Sequence, residues 1–144
     1  MVKTILVPLD TREESSWLRA LPVAVDLARH HGASLHLTTV IEPIEINLPG
    51  VPAPEEMTRK RRDHALRKLE QIASAHLPAD FPHQVHAAVG NVHREILSAA
   101  ERIGADLIVM ASHRPALSTY LLGTHAARVV RHATCSVYVV RDED

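Results

Sequence analysis

The stretch DLIVMASHRPALSTYLLGTHAARVVRHATCSVYVV, residues 106–140, holds the alternation that decides the fold. Asp106 to Ala111 reads as a strand, and its run Leu107, Ile108, Val109, Met110 is apolar at every position. A strand with no polar alternation is one buried on both faces. A dozen mostly polar residues follow, and order resumes at Gly123-Thr124 with a helix to about His132. Ser136 to Val140 reads as a last strand. Strand, loop, helix, strand is the unit from which parallel sheets are built.

The upstream sequence repeats this unit. Residues 3–9 (KTILVPL) read as a short apolar strand ending at Asp10-Thr11. A helix from about Ser15 to His31 carries Leu21, Val25 and Ala28 on one face, and Pro22 inside it is expected to kink it, since its ring removes the backbone bond to Leu18. Gly32 stops this helix, and residues 34–41 (SLHLTTVI) form the second strand. Glu42 to Pro54 is proline-rich and reads as a loop over one end of the sheet. A long helix spans about Glu55 to His76, with Ala65, Leu69, Ile72 and His76 as its inner face. Its opening block Arg59-Lys60-Arg61-Arg62 reads as a solvated face, with phosphate binding as the alternative. Residues 84–89 (QVHAAV) make a third strand. Gly90-Asn91 supplies a turn and an N-cap for a helix bearing Ile96, Ala100 and Ile103, which Gly104 closes.

The whole chain, residues 1–144, is therefore expected to be one α/β domain: a five-stranded parallel sheet in order 3-2-1-4-5 with helices on both faces. That order puts a topological switch point between strands one and four, and ligands in such sheets bind beyond the carboxyl ends there. Those ends are Pro8-Leu9-Asp10 and Ala111-Ser112-His113. Gly123-Thr124 then delivers a helix N-terminus whose first N–H groups lack partners, an anion site in waiting. Arg114 and His113 add charge, and Asp10 across the crevice can accept hydrogen bonds from a nucleoside. Bland readings stand beside these: Asp10 as a helix cap, Thr124 as an N-cap whatever binds, Arg114 paired with a carboxylate, and His113 and His125 as bystanders.

Composition narrows the function. The 144 residues are 46% apolar with a net charge of −1, which gives no general attraction to nucleic acid or to a membrane surface. Trp17, Phe81, Tyr120 and Tyr138 are too few for base-stacking platforms. No leader precedes the first strand and no apolar run is long enough to span a bilayer, so a cytoplasmic protein is expected. The eleven histidines show no metal-ligand spacing and read as scattered over the surface. Cys135 reads as packing. Neither G-x-x-x-x-G-K-[ST] nor G-x-G-x-x-G is present.

From ILVPLD (residues 5–10) to the last strand, the chain resembles the universal stress protein family. Nucleotide-binding members carry Gly-x2-Gly-x9-Gly-[Ser/Thr] after strand four of a flavodoxin-like fold. Gly123-Thr124 and the flanking LLG…A…VVRHA-C-SVYVV are retained here, with Ala111 at the first glycine, Arg114 at the second, and eight residues in the following spacer. The variant ASHRP…TYLLG resembles the small F/G-type bacterial branch. The resemblance implies ATP as ligand, with Pro8, Leu9, Asp10 and Val40 around the adenosine. It sets Ala111, Ser112, His113, Arg114, Gly123, Thr124 and His125 around the phosphates, a side-chain cation replacing a backbone contact. Mg²⁺ is expected only with the nucleotide, Asp10 being the one plausible carboxylate. The implied role is a nucleotide-dependent stress or signalling regulator acting on a protein partner. Slow ATP hydrolysis or self-modification, and a nucleotide-free interaction module, remain alternatives. The apolar edge strand 136–140 points to a homodimer, as does the resemblance.

Overall fold

Ile5 to Leu9, with Pro8 among them, are apolar at every position and leave the first strand no face for water. In the computed structural model, which describes residues 1–44, 48–51, 53–112 and 123–141, that strand is β1 (Thr4–Pro8). It is followed by α1 (Ala20–His31), β2 (Ser34–Ile41), α2 (Glu55–His76), β3 (Gln84–Val89), α3 (Val92–Ile103), β4 (Leu107–Ala111), α4 (Thr124–His132) and β5 (Ser136–Val140). The five strands are all parallel, in the order β3-β2-β1-β4-β5.

The sheet separates two apolar layers. Ile5, Val7, Leu35, Leu37 and Val109 pack with Leu21 and Val25 of α1 and Leu69 and Ile72 of α2. Leu6, Ile108 and Met110, one residue out of step, pack with Ile96 and Ala99 of α3 and Ala126 and Val129 of α4. Alternate side chains of a strand point to opposite faces, so covering both faces requires the unbroken hydrocarbon of β1 and β4. Burying each such Leu, Ile or Val contributes about 1.5–3 kcal/mol. Asp106 fastens the two central strands at their starts: Oδ2 accepts the backbone N–H groups of Lys3 (2.7 Å) and Thr4 (2.9 Å). These bonds hold its carboxyl below the usual carboxylate pKa.

Helix ends follow local chemistry. Gly32 and Gly104 terminate α1 and α3 in the left-handed conformation, at φ 65° and 68°. Asn91 caps α3, its side chain accepting the Arg94 N–H at 3.2 Å. The first helix departs from expectation. A 3₁₀ turn, Glu14–Ser16, and the buried Trp17 precede α1, which starts only at Ala20. Pro22 therefore falls in the first turn, one residue after the Leu21 N–H that bonds to the Trp17 carbonyl at 2.9 Å, so its missing N–H interrupts the ladder at the helix entry rather than in its interior. At α4 the N-cap is Gly123, and Thr124 is the first helical residue rather than the cap. His76 is exposed, and Ala73 takes its place on the inner face of α2.

The histidines are not all on the surface. His36 is only 8% exposed, and its ring lies stacked against that of His86. The strand register explains the pair. His36 is level with Gln84 and Thr38 with His86, so the two histidines sit diagonally on one face of neighbouring strands.

Candidate functional site

The two central strands keep different company at their carboxyl ends. The β1–β4 ladder runs only through Ile5–Leu107 and Leu6–Ile108. Beyond it, Leu9 N–H bonds to the Thr38 carbonyl on β2 (2.9 Å), while Ser112 N–H bonds to the Val140 carbonyl on β5 (3.0 Å). Each strand stays with its outer neighbour and parts from the other. That is the physical content of a switch point, and it opens a cavity of about 160 Å³.

Pro8, Leu9 and Asp10 form one wall, Met110 and Ala111 another, with Val40 from β2 and His125 from α4 completing the ring. Thus Pro8, Leu9, Asp10, Val40, Ala111 and His125, named from sequence, meet in one place. Ser112 is fully buried next to Ala111, does not line the cavity, and has a hydroxyl without a hydrogen-bond partner among the described residues. Gly123 and Thr124 stand at the start of α4, where no side chain among the described residues caps the helix. Gly123 has φ −64°, a torsion open to any residue, so what it offers there is the lack of a Cβ rather than an unusual backbone. His113 and Arg114 lie outside the described residues.

Several lining residues escaped the sequence reading, among them Arg12, Glu13, Ser16, Thr38, Glu42, Val92 and Ile96. Thr38 was within reach of it, because it lies two residues before Val40 and shares its face of β2. Arg12 was not, because the chain bends back on itself after β1. Asp10 Oδ1 accepts the Arg12 backbone N–H at 2.9 Å, and the carboxylate also takes Arg12 Nε (3.2 Å) and Nη2 (3.3 Å). Ser16 fixes the bend: its Oγ accepts the Asp10 N–H at 2.9 Å and stands within 2.9 Å of the Asp10 carbonyl and 2.7 Å of the Glu13 carbonyl. Its one proton serves one carbonyl at a time. Asp10 is therefore held by a turn, and it does not cap α1.

The Asp10–Arg12 pair raises the Arg12 pKa through its hydrogen bond and charge. Both side chains remain solvent-accessible, at 40% and 77%, so the pair adds at most about 1 kcal/mol and yields readily to a competing ligand group. Glu13 and Glu42 also line the cavity, which corrects the reading of Asp10 as its one carboxylate. Partial burial, then the charges of Arg128 and Arg94, keep the His93 imidazole below its usual pKa.

A parallel sheet in this order, with its cleft at the switch point, defines the flavodoxin-like class of α/β proteins. Within that class the chain belongs to the universal stress protein family, whose profile matches residues 1–141. It is 33% identical to universal stress protein G of Escherichia coli O157:H7, over 98% of this chain and 100% of that protein. It is 32% identical, with the same coverage, to universal stress protein G of Salmonella typhimurium. Among solved structures it is similar to a universal stress protein in complex with cAMP (23% identity, TM-score 0.69, covering 99% of this chain and 98% of that one). It is similar too to a family member from Burkholderia pseudomallei (25% identity, TM-score 0.61, 98% and 97% covered).

Proposed function

We propose that this protein binds ATP at the switch-point cavity and serves as a nucleotide-dependent stress or signalling regulator. One observation carries the reading: β1 and β4 part beside the N-terminus of α4, setting an apolar slot next to N–H groups that have no partner among the described residues. Leu9, Val40 and Met110 suit the faces of a purine, and Asp10 suits ribose or amino hydrogen-bond donors. The start of α4, with Ala111 and His125 on the cavity wall, suits the phosphates, and the reading assigns Ser112, His113, Arg114, Gly123 and Thr124 to them as well. The residues present thus fit the group. A solved relative in complex with cAMP supports an adenine nucleotide as the ligand class.

In this reading Mg²⁺ arrives with the phosphates, and Asp10, Glu13 or Glu42 supplies at most one or two oxygens to it. The described lining of the cavity contains no lysine, a group that phosphoryl transfer commonly recruits, which favours binding over fast turnover. The protein acts in the cytoplasm as a homodimer joined through β5, and nucleotide occupancy shifts its affinity for a protein partner.

The deciding experiment is to denature the purified protein and identify the released small molecules, with a thermal melt in millimolar ATP alongside. An adenine nucleotide in the supernatant, or a melting temperature raised by ATP, is the expected result. The absence of both signals would refute the reading.

A further inference from the structure

The basic block Arg59-Lys60-Arg61-Arg62 is divided by the fold. Lys60, Arg61, His64 and Lys68 fall on one stripe of α2, at helical spacings of one, three and four, and all four line a groove of about 730 Å³. Arg59 and Arg62 point elsewhere and do not line it. The floor of the groove is Thr39 to Ile41, the carboxyl end of β2. It therefore opens at the same end of the sheet as the candidate nucleotide cavity. The two share Asp10, Arg12, Val40 and Glu42 as walls.

Among the described residues, the charges in this groove do not cancel. Lys60, Arg61, Lys68 and Arg12 face Asp10 and Glu42. The Asp10 carboxylate is engaged by Arg12, and Lys60 reaches Glu56 in an exposed pair at 3.7 Å. Arg61 Nη1 donates to the Glu42 backbone carbonyl at 3.2 Å, which positions the guanidinium without neutralising it. Among the described residues neither Arg61 nor Lys68 has a carboxylate partner. Arg61 and Lys68 lie two helical turns apart along the same groove, and an anion between them is attracted by both.

We propose that this groove is a second anion subsite, on the α2 side of Asp10 and away from α4, which takes a phosphoryl or pyrophosphoryl group. The group has two sources. It is a free inorganic anion, or it is carried by a ligand whose nucleoside occupies the neighbouring cavity; only the second source rests on the nucleotide reading above.

The test is calorimetry on the full chain with pyrophosphate, AMP and adenosine 3′,5′-bisphosphate. The variants are Arg61→Gln and Lys68→Gln, with Arg62→Gln as a control of equal charge change outside the groove. Circular dichroism checks that each is folded. The wild type is expected to bind pyrophosphate or to prefer the bisphosphate over AMP. That binding should fall about tenfold or more in Arg61→Gln and Lys68→Gln, with Arg62→Gln nearly unchanged. A bisphosphate preference lost in Lys68→Gln identifies the ligand-borne source. Pyrophosphate binding lost in Lys68→Gln, with AMP and bisphosphate equal, identifies the free anion. If neither AMP nor the bisphosphate binds while pyrophosphate still depends on Lys68, the ligand-borne source falls and the subsite stands as a site for the free anion. Wild type that neither binds pyrophosphate nor prefers the bisphosphate overturns the subsite. So does an equal loss in Arg62→Gln, which would mean net charge alone.

Discussion

His36 and His86 stack across the β2–β3 ladder with ring planes 12° apart, and His36 Nδ1 lies 2.9 Å from His86 Nε2. Only one of the facing nitrogens carries the shared proton, so at least one ring is neutral in this arrangement. Burial lowers the pKa of both, and the charges of His36 and of Arg102 on α3 lower that of His86 further.

The unfolded chain therefore takes up protons at a higher pH than the folded one. The stability held by this pair is fully present above the ordinary imidazole pKa of about 6.5, and it is lost as pH falls from there through the lower folded values. Thermal melts at pH 7.5 and 5.5 are expected to show a drop for the wild type and a smaller drop for His86→Gln. Equal drops would show that the pair does not set the acid sensitivity.

The ends of α3 make a second, purely local prediction. Asn91→Ala removes the side chain that accepts the Arg94 N–H and should cost about 1 kcal/mol. At Gly104, φ is 68° and an added Cβ would meet nothing within 4 Å, so Gly104→Ala is penalised by backbone strain alone, about 1–2 kcal/mol. Gly104→Asn should recover part of that loss. Urea midpoints measure all three. A Gly104→Ala protein as stable as wild type would contradict the assigned left-handed cap.

Arg114→Ala should weaken ATP more than adenosine, because its proposed contact is with phosphate. Loss of one charge-assisted contact costs about 1.5–3 kcal/mol, roughly tenfold or more in affinity. Parallel titrations with ATP and adenosine separate the cases. An equal loss for both ligands would assign Arg114 to shaping the loop.

The proposed dimer rests on β5. It is an edge strand in the sheet order, and Tyr138 on it is 46% exposed. An apolar edge with unpaired backbone groups favours an antiparallel copy of itself. Light scattering is expected to give a dimer for the wild type and a soluble monomer for Val139→Lys. A variant that stays dimeric would place the interface elsewhere.

What the sequence determined by itself was the order and kind of the elements. The bounds of α2, β3, α4 and β5 coincide with those read from periodicity and punctuation, and Gly32, Asn91 and Gly104 sit at the helix ends they mark. Strands β1 and β4 declared their central place because only a strand covered on both faces is hydrocarbon throughout. These features are legible because each depends on residues within a turn or a strand of one another. The tertiary structure alone decided where distant segments meet. Pro22 became harmless because Trp17 packs into the core and delays the start of α1. His36 and His86, fifty residues apart, became partners through the register of β2 against β3. Arg12 turned back onto Asp10, and half of a basic block came to face the end of β2. Register and the facing of one element against another are set by burial summed over the whole domain, and no local stretch of sequence carries that sum.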